Sequence, residues 1–222
     1  MGEYIVKILR AEYITHDVKR FMVEKPAGYV FEPGQATEVS INKPGFKELK
    51  RPFSFTSLNQ WDYLEFTIKI YENHDGVTKE LGHINAGAEL IIREPWGTIQ
   101  YVKPGVFIAG GAGVTPFIAI LRKLQKDGKI YGNSLIFSAK GSDDVILRPE
   151  FSDMLGSDFH VIYTRENVMG YRERQIDKSY LIDAVKNFDQ CFYVCGPVQF
   201  VTDITKILAE LGAKAESLIF ER

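Results

Sequence analysis

Cysteine is nearly missing from this chain, with two among 222 residues, Cys191 and Cys195. That is too few for a disulfide framework, or for a cysteine-ligated iron–sulfur cluster, which takes four thiolates. Histidine is scarce as well. His16, His74, His83 and His160 lack the spacing of a metal site, so no metal centre is expected. No apolar run approaches the roughly 20 residues that cross a bilayer. The opening Met1-Gly2-Glu3-Tyr4-Ile5-Val6-Lys7 lacks the basic-then-apolar layout of a secretory signal, and Val6 stands where myristoylation wants Ser or Thr. Neither sign of charge dominates: 27 basic against 29 acidic side chains leave a formal charge of −2. Nucleic acid and membrane insertion are therefore not expected, and a cytoplasmic location is. No G-x-S-x-G elbow is present, which sets serine-hydrolase chemistry aside.

What is present follows two grammars. Runs 4–13, 18–24, 37–41 and 63–70 are rich in β-branched and aromatic residues. Turn signals such as Lys25-Pro26-Ala27-Gly28, Glu32-Pro33-Gly34 and Asn42-Lys43-Pro44-Gly45 separate them. The pattern predicts a six-stranded antiparallel β-barrel with one short helix near 78–84. After Lys103-Pro104-Gly105 the pattern changes. Strands at 105–109, 134–138, 160–164, 191–195 and 216–220 alternate with helices at 116–125, 149–155, 180–187 and 198–211. Such alternation predicts a doubly wound parallel α/β sheet. The expected division is an all-β domain over 1–102 and an α/β domain over 103–222.

Gly110-Gly111-Ala112-Gly113-Val114-Thr115-Pro116 joins an apolar strand to an amphipathic helix. Thr115 is suited to the N-cap and Pro116 to the first helical position. The glycines permit a tight turn and close approach to backbone N–H groups, and the helix start favours an anion. A pyrophosphate needs this arrangement, although Pro116 departs from the G-x-G-x-x-G form. Cys195-Gly196-Pro197 repeats the strand-to-helix geometry. A cysteine there either lies over a bound ring or packs as a small apolar group. Arg165, Arg172 and Arg174 follow the strand ending at Thr164, where arginines either pair with an adenosine 2′-phosphate or stay solvated. In the first half, Arg51-Pro52-Phe53-Ser54-Phe55-Thr56-Ser57 offers a charged fork, an aromatic face and hydroxyls.

Taken in order, Arg51-Pro52-Phe53-Ser54, Gly76-Val77-Thr78, Gly110–Pro116 and Cys195-Gly196-Pro197 resemble the ferredoxin–NADP(+) reductase superfamily. The resemblance spans nearly the whole chain. It implies a flavin-binding barrel, an NAD(P)-binding sheet, the cofactors FAD and NADPH (or NADH), and hydride transfer between them. Arg51, Pro52, Phe53, Ser54 and Ser57 would hold the flavin, with Ser54 beside its N5 and Phe53 in place of the usual tyrosine. Gly76, Val77 and Thr78 would supply the second phosphate contact. Gly110, Gly111, Gly113, Thr115 and Pro116 would receive the dinucleotide, with Cys195, Gly196 and Pro197 near the nicotinamide. Arg165 would read the 2′-phosphate with Arg174 helping. Family members commonly finish with a glutamate and a terminal aromatic that covers the flavin. Glu221 matches the acidic position, and no aromatic follows it. That departure implies a trimmed terminus, a less shielded flavin or Phe220 as the shield. Electrons would pass to flavodoxin or ferredoxin. The alternatives are reduction of free flavin as a substrate, and a regulatory or electron-transfer subunit of a larger complex.

Overall fold

The computed structural model describes residues 2–73, 75–97, 99–166 and 174–220. They form two compact units, each considered on its own. One comprises Met1–Gln100 with Thr115–Lys123, the other Tyr101–Val114 with Leu124–Arg222.

The first unit is a six-stranded antiparallel sheet of β1 (Glu3–Tyr13), β2 (Val18–Glu24), β3 (Ala36–Ile41), β4 (Arg51–Ser54), β5 (Tyr63–Lys69) and β6 (Glu89–Arg93). Their order is β4-β3-β6-β1-β2-β5. A further bridge between Phe55 and Phe66 joins the two edge strands and all but closes the barrel. Alternation chooses the face: Val6 and Ile8 of β1 are buried, whereas Ile5 and Leu9 are exposed. Inside, Phe21, Phe31, Phe55 and Phe66 fill the core with branched aliphatics. Phe55 stacks on Phe31 at 4.2 Å between centroids. Pro52 lies on β4, an edge of the sheet order, where the donor it lacks is not needed in the ladder. The short helix α1 (Val77–His83) begins one residue earlier than the sequence predicts.

The second unit is a five-stranded parallel sheet of β7 (Gly105–Gly110), β8 (Ser134–Ala139), β9 (Phe159–Tyr163), β10 (Cys191–Cys195) and β11 (Leu218–Phe220). Every residue of β7 and β10 is buried, as expected for strands covered on both faces. The order β11-β10-β7-β8-β9 shows the chain winding outward from β7, then returning to the other side through β10. The switch point therefore lies between the ends of β7 and β10. After β7 the chain forms α2 (Thr115–Lys126), whose residues up to Lys123 belong to the first unit, and then, in the second unit, α3 (Arg148–Leu155), α4 (Lys178–Ala184) and α5 (Val198–Glu210).

Several local expectations shift. Thr115 is the first residue of α2, directly behind a 3-10 turn over Gly111–Val114, and so is not a separate N-cap. The 3-10 turn already directs the chain into the helix. Pro197 directly precedes α5, whose start at Val198 is where the sequence predicts it. Helix α4 starts at Lys178, two residues before the expected position, because the Asp177 carboxylate accepts the Tyr180 N–H at 2.7 Å. Strand β11 is short because Ala215–Ser217 form a 3-10 turn.

Candidate functional site

In the barrel unit, Arg51 and Pro52 are exposed at the start of β4, while Phe53 and Ser54 are half-buried. Phe53 packs against the barrel core. A cleft of about 220 Å³ is lined by Arg51, Tyr71, Asp75, Gly76, Val77 and Thr78. Folding thus brings together two motifs that lie far apart in the sequence. The Arg51 guanidinium donates to the Lys50 carbonyl at 2.8 Å and is exposed to the cleft's solvent. Gly76 is the N-cap of α1 with φ 153°, and no side chain caps this helix start. No atom lies within 4 Å of where a Cβ on Gly76 would stand, so the backbone there is open to a ligand. Asp75, the acid in the lining, is held below the ordinary carboxylate range by the Lys79 ammonium at 2.8 Å. Thr78 lies inside α1 and does not cap it. Cation, open backbone and neutralised acid fit an anionic group. The volume is below the roughly 300–1,000 Å³ of a whole ligand's pocket, so the cleft suits one part of a dinucleotide.

Ser57 is placed differently. It is fully buried, and its Oγ accepts the Glu65 N–H at 3.0 Å, so its hydroxyl faces β5.

In the α/β unit the switch point is built from glycine. Ala109 and Cys195 are register partners, which sets Gly110 and Gly196 just beyond them, side by side. A Cβ on Gly110 would come 3.0 Å from the Phe200 ring, and one on Gly196 would come 2.8 Å from it. A Cβ on Gly113 would lie 2.4 Å from the Cys195 carbonyl oxygen. These three are glycine because the chain packs against itself. Gly111 differs, with φ +54° and nothing within 4 Å of its Cβ position. The open position of the loop is therefore at Gly111. Cys191 and Cys195 are both buried, more deeply than a half-exposed strand end implies.

Arg165 is exposed just past β9, and its N–H donates to the Lys140 carbonyl at 3.0 Å. The Arg174 N–H donates to the Tyr163 carbonyl at 2.9 Å, which returns the chain to the same strand end. The Arg174 side chain is engaged elsewhere: it donates to Ser179 Oγ at 3.0 Å, pairs with Asp177 at 3.6 Å and lies 5.0 Å from the Tyr180 ring centre. Arg172 and Glu221 lie outside the described residues.

Sequence reasoning missed Tyr71 and Asp75 in the cleft, though both lie only a few residues before Gly76. It also missed Phe200, one helical turn beyond Gly196 and beneath both switch-point glycines.

A near-closed antiparallel barrel followed by a doubly wound sheet, with an open cleft at Arg51 and Gly76 in the first and a glycine-built switch point in the second, is the architecture of a flavin- and dinucleotide-binding oxidoreductase. Comparison with known proteins agrees. Residues 6–101 match the oxidoreductase FAD-binding domain family, and residues 107–206 match the oxidoreductase NAD-binding domain family. The chain belongs to the ferredoxin–NADP(+) reductase superfamily, and its cofactors are FAD and a nicotinamide dinucleotide. It is similar to the reductase component of propane 2-monooxygenase from Rhodococcus jostii, with 26% identity covering 97% of this chain and 62% of that protein. It is also similar to the flavohemoprotein of Bacillus subtilis, with 27% identity covering 86% of this chain and 51% of that protein. The chain thus spans between half and two thirds of the length of these relatives. The fold matches a ferredoxin NADP+ reductase from Neisseria gonorrhoeae, solved with bound FAD and NADP, at TM-score 0.85 and 19% identity. That match covers 100% of this chain and 98% of the other. Among the described residues, no helix is long and apolar enough to cross a membrane.

Proposed function

We propose that this chain is an NAD(P)H-dependent flavoprotein reductase, with residues 1–102 as its FAD domain and 103–222 as its NAD(P) domain. The observation that carries the reading is the cleft that joins Arg51 to Gly76, Val77 and Thr78. Arg51 and the open backbone at Gly76 hold the FAD diphosphate, the guanidinium supplying charge and paired donors. Ser54 stands by the flavin N5 and Phe53 by the ring. Gly111 offers its N–H to the diphosphate of the nicotinamide dinucleotide, with Gly110, Gly113, Thr115, Pro116, Gly196 and Pro197 shaping the approach. Cys195 lies against the nicotinamide, and Glu221 assists the proton or charge balance. Arg165 reads the 2′-phosphate of NADPH, with Arg174, whose side chain also bonds Ser179, as its helper.

FAD, when bound, would supply two-electron acceptance from the nicotinamide dinucleotide and one-electron release to an acceptor. The chain's own contribution is to orient both cofactors and exclude water. The acceptor is a separate one-electron carrier such as flavodoxin or ferredoxin. The names of the two relatives support oxygenase and haem partners as further acceptors of the same kind.

A second reading, reduction of free flavin, is favoured by Phe53 in place of the family's tyrosine. The visible spectrum of the purified protein separates the two. A yellow protein that loses most of its colour in Arg51→Ala is expected. Full flavin occupancy in that variant would refute the role of Arg51, and a colourless parent that still oxidises NADPH with added flavin would favour the second reading. Failure of the isolated chain to reduce a dye with NADPH would point to a regulatory subunit.

A further inference from the structure

Glu65 and Arg122 form a buried ion pair that the cofactor reading leaves unused. Glu65 on β5 is 3% exposed and Arg122 on α2 is 9% exposed. Arg122 Nη1 donates to Glu65 Oε1 at 2.6 Å and to the Thr56 carbonyl at 2.6 Å. Its guanidinium carbon lies 5.2 Å from the centre of the Trp61 ring. From the other side, Thr56 Oγ1 donates to the same Glu65 oxygen at 2.8 Å and lies 3.3 Å from Thr67 Oγ1. The Thr56 N–H donates to the Glu65 carbonyl at 2.8 Å, and the Glu65 N–H donates to Ser57 Oγ at 3.0 Å.

Apart from the ion pair itself and the Trp61 ring, these contacts end on Thr56 or Ser57, which follow Ser54 and Phe55 at the end of the flavin segment. A buried ion pair seldom stabilises a fold more than a well-packed apolar pair of similar size, because desolvation offsets the attraction. What such a pair can add is geometry: its hydrogen bonds have defined directions and can hold the backbone at one point. Here that point is the Thr56 carbonyl, fixed by a guanidinium from the helix that begins at Thr115 and Pro116.

We propose that Arg122 is a positioning residue. It sets the orientation of the flavin segment, and so of the flavin ring, without contributing to cofactor affinity. The proposal rests on the reading that Arg51–Ser54 holds the flavin.

The test uses the full-length protein loaded with FAD. Arg122→Met alone orphans the Glu65 carboxylate and is expected to lower stability, so the informative variant is E65L/R122M, which removes both charges. That variant is expected to fold and to bind FAD and the nicotinamide dinucleotide with little change. Its visible circular dichroism should alter, and flavin reduction at saturating NADPH or NADH should slow about tenfold or more, the scale of a small misplacement of reacting groups. Arg122→Lys keeps the charge but loses the fork, and an intermediate rate is expected. It also provides the measurement if the double variant does not fold. Wild-type rates and dichroism in a folded E65L/R122M, or in R122K, would overturn the proposal and leave the pair a structural element. Absence of flavin reduction in the unaltered protein would instead sink the reading of the site.

Discussion

Arg165 and Glu166 stand side by side after β9, and the fold treats them differently. The Glu166 carboxylate accepts the Ser142 N–H at 2.6 Å and is committed to its own chain's turn. Arg165 is exposed. The Glu166 carboxylate is thus partly committed to Ser142, whereas the exposed guanidinium of Arg165 can meet a 2′-phosphate. Charge-assisted hydrogen bonds contribute about 1.5–3 kcal/mol. Arg165→Ala is therefore expected to raise the KM for NADPH about tenfold to a hundredfold and to leave that for NADH nearly unchanged. Steady-state kinetics with both dinucleotides checks this, and an equal effect on both would remove Arg165 as the selector. The glycine loop shows what residue identity alone conveys. The sequence displays Gly111 and Gly113 alike, but only the structure separates open backbone at the first from contact with the Cys195 carbonyl at the second.

Helix α1 has only seven residues and lacks a side-chain N-cap, so its own hydrogen bonds cannot sustain it. Lys19 supports its far end. The Lys19 ammonium donates to the carbonyls of Ile84 at 2.7 Å and Gly82 at 3.0 Å and to Asn85 Oδ1 at 3.3 Å. It also lies 5.3 Å and 5.5 Å from the ring centres of Tyr13 and Phe21. A cation at a helix C-terminus satisfies carbonyls that have no partner within the helix and complements its dipole. Lys19→Met keeps the aliphatic stem and removes these bonds. It is expected to cost about 2–4 kcal/mol in urea unfolding, with hydrogen exchange rising first over Val77–His83. A change within about 0.5 kcal/mol, the ordinary surface range, would show that the helix holds itself. The sequence carried a trace of this: Lys19 shares strand parity with Phe21 and Val23, which face the core. The short helix itself was legible within a residue. Its anchor was not, because the capturing ammonium comes from a strand more than fifty residues earlier.

In each unit a buried tyrosine has its hydroxyl hydrogen-bonded to backbone. In the barrel, Tyr29 donates to the Arg93 carbonyl at 2.5 Å. In the α/β unit, the Tyr193 hydroxyl donates to the Lys103 carbonyl at 2.8 Å and accepts the Val102 N–H at 2.9 Å. Burial pushes both phenols up to about 12 from the ordinary value of 10.0. The folded state thus keeps its protons where the unfolded chain has lost them. The stability these two groups confer is intact below pH 10 and is lost as pH rises through about 12. Both units are expected to weaken in that window, with phenolate absorbance from these tyrosines appearing only as each unit unfolds. Ionisation of both near pH 10 in folded protein would contradict this.

At this largest scale the two sources of information separate cleanly. Local order of apolar, turn and glycine residues determined the element sequence, the change from barrel to sheet and the position of the glycine loop. Those features depend on period, propensity and chain neighbours. The order of motifs along the chain likewise determined the family. Tertiary structure decided which distant residues meet. Glu65 alternates with Leu64 and Phe66 and reads as a solvent-facing strand position, yet it is buried against Arg122. Ser57 reads as a ligand hydroxyl and turns out to serve β5. Arg51 and Gly76 become a single cleft only when the barrel closes. Spacing along the chain carries no distance across a barrel, so these pairings were fixed by packing alone.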